Sequence, residues 1–250
     1  MGVLLDNGKY QVLENLFLED GYTASVCIDI ENRNNYKPLV FNIYSQPSNI
    51  SELLPFFYGI SPGICDGFHR VIPGNRCIMA FFDYHHGVPL IDHLNALSKD
   101  DYPARAQIAG SFLDAMLFFD MMPTLFTLSA LTPPNTVFDV KEKAVRFNYV
   151  IKPLPQASED EKWALFAAYI KKIFVKSRYL PDMADKFLQQ TLDGGNMKFV
   201  PICAAWRQVS AAAMEEYEKY KKESIFGYIK RRLLKKRRGK RKQSGTDNET

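Results

Sequence analysis

The sequence predicts an α+β fold of two lobes, in which an antiparallel β-rich lobe precedes a reduced helical lobe. Short apolar runs separated by turn residues fill the first third of the chain, as in an antiparallel meander. After Gly87 the pattern becomes helical, with Ile108, Phe112 and Met116 on one face of a predicted helix. Residues 127–153 then read as a helix end, a loop and a β-hairpin.

The β-rich lobe is assigned to residues 1–84. A helix is also expected at Ser51–Tyr58, capped by Asn49 or Ser51 and interrupted near Pro55, with a polar turn at residues 32–35. The predicted strands are Tyr10–Leu18, Tyr22–Ile30, Leu39–Tyr44, Phe68–Ile72 and Cys77–Phe82.

The helical lobe is assigned to residues 85–224, and a basic tail to residues 225–250. Val145, Phe147 and Tyr149 alternate with polar residues, which is the period of a half-buried strand. Ser158 is expected to cap a helix with an acidic first turn. The predicted helices are Pro89–Leu97, Ala104–Phe119, Glu159–Val175, Met183–Leu192 and Ala204–Lys222, and the hairpin strands are Thr136–Val140 and Ala144–Val150.

Composition favours an ordinary folded protein, with 46% hydrophobic and 24% charged residues. Cys27, Cys65, Cys77 and Cys203 are scattered without metal-ligand spacing, so reduced thiols and no metal site are expected. The best candidate for a membrane span, Ala115–Leu131, is short and is interrupted by Asp120 and Pro123. With no signal peptide or myristoylation motif recognised, a cytoplasmic location is expected.

Charge divides the chain into two unequal parts. Residues 230–242 contain ten of the thirty-two Lys and Arg residues, whereas twenty-six of the twenty-eight acidic residues precede them. The preceding body therefore carries a net charge of about −4, and the remainder about +8. Any attraction to phosphate groups is expected in the tail.

The tail segment 225–242 has the pattern of a basic amphipathic helix. Phe226, Ile229 and Leu233 share one helical face, and such helices lie on anionic membrane surfaces. The partner predicted for the tail is therefore the inner face of the cell membrane or an acidic protein, with nonspecific nucleic-acid binding as the alternative. The anion-contacting residues are Lys230, Arg231, Arg232, Lys235, Lys236, Arg237, Arg238, Lys240, Arg241 and Lys242.

Residues 79–94, MAFFDYHHGVPLIDHL, resemble the strand, hinge and first large-lobe helix of protein kinases. With the preceding strands and the later hairpin, the resemblance extends over residues 10–153. It implies a two-lobed kinase-like fold. The few helices after residue 158 imply a reduced large lobe.

The same resemblance implies that several kinase positions are degenerate. The loop between the first two strands offers only Gly21, beside Glu19 and Asp20, which would repel phosphate. The position of the strand Lys is Asn42. Glu52 matches the helix Glu that would pair with that Lys, but its partner is absent.

The catalytic and metal-binding positions also differ from the kinase pattern. Asn135 matches the Asn that ends the catalytic loop, and counting back places Ala130 at the catalytic Asp. Asn148 falls at the metal-binding Asp, and its single neutral oxygen is a poor ligand for Mg²⁺. The resemblance therefore implies a pseudokinase with no catalytic residues and no cofactor. The adjacent His85 and His86 are expected to be polar surface residues.

The function predicted from the sequence is a catalytically inactive interaction or scaffold module. In size and in its basic C-terminal edge, the chain is similar to the cytoplasmic domain of the EssB-type component of type VII secretion. The alternatives are a divergent phosphotransferase that uses Asp139 or Asp120, and a nucleic-acid-binding protein whose body is a scaffold.

Overall fold

The computed structural model describes residues 4–5, 8–31, 37–60, 65, 67–153, 158–195, 198–224, 226–231 and 233–234. The polar turn predicted at residues 32–35 lies outside these ranges. So do Arg232, Lys235, Lys236, Arg237, Arg238, Lys240, Arg241 and Lys242 of the tail, together with the remainder of the predicted tail to residue 250.

The first part of the chain forms a six-stranded antiparallel sheet with the strand order β1-β2-β3-β4-β6-β5. Gly21 lies in the tight turn between β2 and β3, and its φ of 80° is accessible to glycine without strain. The sheet confirms the predicted meander and adds a short first strand. The strands are β1 (Leu4–Leu5), β2 (Tyr10–Glu19), β3 (Tyr22–Asp29), β4 (Leu39–Tyr44), β5 (Phe68–Gly74) and β6 (Cys77–Asp83).

Helix α1 (Pro47–Gly59) packs beside this sheet and is longer than predicted. It begins at Pro47, whose missing N–H is harmless in the first turn, and Gln46 is its N-cap. The prediction of a cap at Asn49 or Ser51 was therefore wrong. Pro55 lies inside the helix and does not end it.

The second part of the chain is mainly helical and contains a three-stranded sheet, β7-β8-β9. Ser158 caps α5 by accepting a hydrogen bond from the Asp160 N–H, as predicted. The strands are β7 (Val88–Pro89), β8 (Thr136–Asp139) and β9 (Ala144–Phe147). The helices are α2 (Leu90–Ala96), α3 (Tyr102–Met116), a 3₁₀ segment at Leu117–Met121, α4 (Thr124–Leu131), α5 (Glu159–Ile173), α6 (Asp182–Asp193) and α7 (Phe199–Lys221).

The predicted start of the last helix needs correction. Helix α7 begins at Phe199, five residues before the predicted start, because Pro201 fits within its first turn.

The candidate span Ala115–Leu131 comprises the end of α3, the 3₁₀ segment and α4. Within the described part of the chain, no helix has both the length and the hydropathy needed to cross a bilayer.

One hydrophobic core continues from the six-stranded sheet into the helical part. The Phe82 ring, on β6, lies 5.2 Å from the Tyr149 ring, which stacks on Phe126 of α4 at 4.9 Å. All three side chains are buried. The aromatic contact therefore packs the two parts of the chain directly against each other.

Arg105, on α3, organises the helical part through hydrogen bonds to backbone carbonyls. The side chain is 4% exposed, and burial lowers the pKa of its guanidinium. Its nitrogens donate to carbonyl oxygens at the ends of α2 and α5, where the helix dipole is negative. The acceptors are the carbonyls of Leu94, Leu97, Ser98, Lys172 and Ile173.

Candidate functional site

Asn42 joins the β-sheet to the segment after β9. It is fully buried on β4, and its Nδ2 donates to the Tyr149 carbonyl at 2.7 Å. Its Oδ1 accepts from the Ile151 N–H and from the Tyr22 hydroxyl, both at 2.8 Å. On the same strand, the Tyr44 hydroxyl donates to the Ile151 carbonyl at 2.8 Å. The position that the kinase resemblance assigns to a Lys is therefore occupied by a neutral interlobe contact.

Asn148 makes a second contact of this kind with the hinge, here defined as residues 84–87. Its Oδ1 accepts from the His85 N–H at 2.7 Å, and its Nδ2 donates to the His85 carbonyl at 3.1 Å. Asn148 is 6% exposed. The Asn148 carboxamide therefore occupies both backbone hydrogen-bonding groups of His85. The Asn148 Oδ1 is thus already the acceptor of a hydrogen bond.

Asn135 lies between these amides and α4. Its backbone carbonyl accepts from the Asn148 N–H at 2.8 Å, and its Nδ2 donates to the Ser129 carbonyl at 2.7 Å. Asn135 and Asn148 are thus neighbours, and Asn42 reaches the same segment after β9 through Tyr149 and Ile151.

The residues counted as the catalytic-loop signature lie on a helix. Leu128, Ser129 and Ala130 belong to α4, and the loop begins only at Thr132. Ala130 is fully buried within the core. This agrees with the helix end predicted at the start of residues 127–153, and the apolar side chains of α4 are buried against their neighbours.

A pocket of about 490 Å³ lies between the two parts of the chain. Leu16 and Phe17 of β2 form one wall, and the hinge forms another. The opposite side consists of the segment from Ser129 to Val137 together with Asn148, Val150 and Lys152. Asn135 and Asn148 line this pocket, whereas Asn42 lies behind it in the core.

The charged side chain of Lys152 lines this pocket and forms an ion pair. Lys152 Nζ lies 2.7 Å from Glu19 Oε1 and 4.3 Å from the centre of the Phe17 ring. Among the described residues that line the pocket, none is an Asp or Glu. The described part of the chain also contains no cluster of three metal-ligating side chains.

Asp139 and Asp120, the acids considered for phosphotransfer, accept hydrogen bonds that stabilise local structure. Asp139 accepts hydrogen bonds from the Glu142 and Lys141 N–H groups in the hairpin turn, and these lower its pKa. Asp120 accepts from the N–H groups of Phe199 and Val200 at the start of α7. Glu52 is exposed on α1. None of the three lines the interlobe pocket.

A separate charged cluster lies at the end of β6. Asp83 is 8% exposed and interacts with His69 at 2.6 Å and with Lys37. Burial opposes ionisation of Asp83, but the hydrogen bonds from His69 and Lys37 outweigh it and lower the pKa to about 2. Lys37, which precedes β4, is therefore paired with Asp83.

Residues 226–231 form a helix after α7. Its Arg231 lies 3.1 Å from Glu223 and 3.6 Å from Asp182, and its guanidinium lies 3.4 Å from the Tyr220 ring centre. Lys230 is exposed, as are Phe226, Ile229 and Leu233. Arg231 is thus held within the chain, whereas Lys230 and the apolar side chains face solvent.

The chain has a protein-kinase-like fold. The kinase domain of PknI from Mycobacterium tuberculosis, in a double-mutant form, matches with a TM-score of 0.51 and 14% identity over 84% of this chain and 98% of that chain. The domain without these substitutions gives a TM-score of 0.49 and 12% identity over 80% and 96%. No protein-family model and no curated protein matches the sequence.

Sequence reasoning missed two features of this site. The contact of Asn148 with His85 joins residues 63 positions apart, and no local sequence pattern indicates it. Lys152 follows the hairpin in a short polar stretch, and its pairing with Glu19 depends on how the two parts of the chain meet. The signal available in the sequence was that Asn42 and Asn148 stand at positions where the kinase resemblance implies charged residues.

Proposed function

We propose that this chain is a catalytically inactive kinase-like module, a pseudokinase, that acts through contact with other molecules. The observation that carries the proposal is the absence of carboxylates from the described lining of the interlobe pocket, where the Asn135 and Asn148 amides are engaged with backbone groups. Phosphoryl transfer depends on Mg²⁺ and on charges that neutralise the phosphates.

The missing groups would each carry a large share of catalysis. A positioned general base contributes a factor of roughly 10² to 10⁴ in rate. Removing electrostatic stabilisation at the reacting group costs a further factor of roughly 10² to 10³ for each donor. Ala130 has no group that could accept a proton, and its buried position on α4 leaves no space for a substrate.

The two amides are poor substitutes for charged groups in this arrangement. For Asn148 to coordinate Mg²⁺, its Oδ1 would have to exchange the His85 N–H for the metal. For Asn42 to contact phosphate, its Nδ2 would have to leave the Tyr149 carbonyl in the core. A buried donor or acceptor left without its partner costs about 1–3 kcal/mol, so both exchanges are unfavourable.

The proposal is tested by titrating the full chain with ATP and Mg²⁺ while the melting temperature is followed. We expect a shift below about 1 °C at millimolar ATP, because a ligand that does not bind the folded state does not stabilise it. Mg²⁺ alone and ATP alone are the controls. A large rise that requires both would contradict the proposal.

A divergent phosphotransferase is less well supported. Asp139 and Asp120 both accept backbone hydrogen bonds at a turn or a helix start, away from the pocket lining. Phosphate release that disappears in the Asp139→Ala variant would favour this alternative.

We further propose that the C-terminal segment contacts an anionic membrane surface or an acidic partner. The support is the exposed face formed by Phe226, Ile229, Lys230 and Leu233, followed in the sequence by a run of basic residues. Apolar insertion together with attraction to anionic lipid is the usual mode of such segments. Similarity to the EssB-type domain remains a prediction from size and from this basic edge.

Sedimentation with vesicles tests the tail proposal. The full chain should bind vesicles with 30% anionic phospholipid and not neutral vesicles, and the change of the basic residues at 235–242 to Gln should remove binding. Phe226→Asp should weaken it, whereas Val200→Asp, at another exposed apolar residue, should not. Equal binding by the Gln variant would contradict the proposal, and tail-dependent binding to RNA alone would favour the nucleic-acid alternative.

A further inference from the structure

Another pocket, here called the C-terminal pocket, lies where the helix at residues 226–231 meets the loop between α5 and α6. Its volume of about 490 Å³ is within the roughly 300–1,000 Å³ of pockets that hold small ligands. The polar side chains that line it are Lys176, Ser177, Arg178, Asp185, Tyr228 and Arg231. The described lining thus has three cationic side chains and one carboxylate, which favours an anionic ligand.

Arg231 holds the C-terminal helix in place and has little charge left for a ligand. Its guanidinium pairs with Glu223 and Asp182, neither of which lines the pocket. Its Nη2 also donates to the Arg178 carbonyl at 3.1 Å, which fixes the helix against the loop between α5 and α6. Arg231 therefore builds one wall of the pocket, and the cations available to a ligand lie on the loop.

Lys176 and Arg178 are the two cations on that loop. Lys176 is exposed, and between described residues no carboxylate forms an ion pair with either side chain. The Arg178 Nη2 donates to the Glu223 carbonyl at 2.8 Å, and its Nε is buried. The Arg178 Nη1 has no hydrogen-bond partner in the described chain and is accessible to solvent. Both cations can therefore contact an anion without giving up an existing partner.

Two hydroxyl groups add donors to the same pocket. The Ser177 Oγ accepts from the Tyr179 N–H at 3.1 Å, so its own proton is free to be donated. The Tyr228 ring centre lies 5.6 Å from both the Arg178 and the Arg231 guanidinium groups. Its hydroxyl has no partner in the described chain and is accessible to solvent. The pocket thus offers two cations and two hydroxyl donors.

This set of donors matches a phosphate monoester better than a carboxylate. A phosphate monoester carries a charge of about −1.5 to −2 at pH 7 and has three strong acceptor oxygens. Hydrogen bonds from charged donors to such oxygens are stronger than those between neutral groups. A carboxylate has one charge and two oxygens, so it would leave more of the donors unused.

Asp185 opposes the binding of any anion. It lies in the first turn of α6 and is the one carboxylate in the described lining of the pocket. Its charge would repel a phosphate, but the two cations of the loop outnumber it. Removal of this charge should therefore strengthen binding, which no loss of structure would do.

We propose that the C-terminal pocket binds a phosphate monoester, with Lys176 and Arg178 as its cationic contacts. Two sources share this chemistry, a lipid headgroup and a soluble phosphate compound. In the lipid form the inference rests on the proposed membrane contact of the C-terminal segment, and it gives that contact a headgroup site. Tyr228 lies on the same helix as the exposed Phe226 and Ile229, so a bound headgroup would lie beside the apolar side chains proposed to insert.

Calorimetric titration of the full chain with glycerol 3-phosphate, without Mg²⁺, tests the pocket itself. Binding should be saturable, and glycerol should not bind. Lys176→Gln should weaken binding about three- to tenfold, because it removes one charged contact. Lys186→Gln removes the same charge from an exposed position of α6 that does not line the pocket, and it should leave the affinity within about twofold of wild type.

A second pair of variants gives the opposite sign. Asp185→Asn should tighten the binding of glycerol 3-phosphate about two- to fivefold, since it removes the repelling carboxylate. Asp193→Asn makes the same change at an exposed residue outside the pocket and should have no effect on affinity. Melting curves establish that each variant is folded.

Vesicles distinguish the two sources of the phosphate. Phosphatidic acid presents a phosphate monoester, whereas phosphatidylglycerol presents a phosphate diester, and the two kinds of vesicle are matched in electrophoretic mobility. For a lipid headgroup, the full chain should sediment preferentially with phosphatidic acid. Lys176→Gln should remove this preference, and Lys186→Gln should keep it.

A preference for phosphatidic acid that is lost in Lys176→Gln supports the site and assigns it to a lipid. Glycerol 3-phosphate binding that Lys176→Gln weakens, without such a preference, supports the site and assigns it to a soluble compound. Equal weakening by Lys176→Gln and Lys186→Gln would overturn the site in favour of general attraction between charges.

The failure of this inference is distinguishable from that of the proposed function. No saturable binding of glycerol 3-phosphate, together with no preference for phosphatidic acid, would overturn the pocket. Vesicle binding that still depends on residues 235–242 would then leave the proposed membrane contact standing. The titration contains neither nucleotide nor Mg²⁺, so its result does not depend on whether the chain is a pseudokinase.

Discussion

The interlobe contact and the C-terminal helix are each held by side chains that reach to another element, but these side chains differ in charge and burial. Asn42 and Asn148 are neutral, nearly inaccessible and bonded to backbone groups. Arg231 is charged, partly exposed and paired with two acids and an aromatic ring. This chain therefore holds its interlobe contact with buried neutral amides and its C-terminal helix with partly exposed charges.

The two contacts should therefore respond differently to substitution, salt and pH. Buried neutral hydrogen bonds are insensitive to salt, and breaking them leaves unsatisfied groups that cost the full desolvation penalty. Partly exposed ion pairs contribute little and are screened.

The largest effect is expected for Asn42→Leu. The change leaves the Tyr149 carbonyl, the Ile151 N–H and the Tyr22 hydroxyl without their partner in the core. We expect the free energy of unfolding to fall by about 3 kcal/mol, equally at low and high salt. Urea denaturation measures it, with Asn95→Leu, at an exposed position of α2, as control. A loss below about 1 kcal/mol would show that the interlobe contact does not depend on this amide.

A smaller effect is expected for Asn148→Ala, which removes both hydrogen bonds to His85. Water entering from the pocket can replace part of what is lost, so we expect a decrease of about 1–2 kcal/mol in the free energy of unfolding. Hydrogen exchange of the His85 amide should accelerate more than that of Asn42-bonded Ile151. Unchanged exchange at His85 would contradict the assigned contact.

Asp83 should give a pH dependence that the amide contacts lack. Its pKa is about 2 in the folded chain and about 3.9 when unfolded, so its contribution is fully present above about pH 4 and is lost as pH falls through 2. Between pH 5 and 2.5 the wild type should lose roughly 1.5–2 kcal/mol more stability than Asp83→Asn. Parallel pH profiles for the two proteins would disprove the paired state of Asp83.

The smallest effect is expected at the C-terminal helix. Arg231→Met keeps the apolar stem but removes the pairs with Asp182 and Glu223, so we expect a loss of about 0.5 kcal/mol that diminishes in 1 M NaCl. Faster amide exchange at residues 226–231 is the more sensitive readout. Lys230→Met, on the exposed side, should not change exchange. An effect that persists in high salt would indicate that packing on Tyr220, and not charge, holds the helix.

The local elements were predictable because they depend on short-range patterns. The alternation of Val145, Phe147 and Tyr149 and the cap at Ser158 each have a periodicity or a residue type that indicates them. The starts of α1 at Pro47 and of α7 before Pro201 were predicted too late, since proline stops a helix in its interior but fits its first turn.

The contacts that make the site were not predictable from local patterns. Arg105 reaches five carbonyls from two helix ends, and Asn148 reaches a hinge residue 63 positions away. Such contacts depend on how the two parts of the chain pack. The sequence predicted Asn at two positions where the kinase resemblance implies charged residues, but it did not indicate that these amides join the lobes.

The central claim, that Asn42 and Asn148 are held by backbone groups and do not take part in binding a nucleotide and metal, is tested most directly by NMR of the full chain labelled with ¹⁵N in the Asn side chains. The NH₂ signals of Asn42 and Asn148, assigned with Asn42→Leu and Asn148→Ala, should be protected from solvent exchange and should not move when ATP and Mg²⁺ are added to millimolar concentration. Saturable shifts of both signals that require Mg²⁺ would contradict the account.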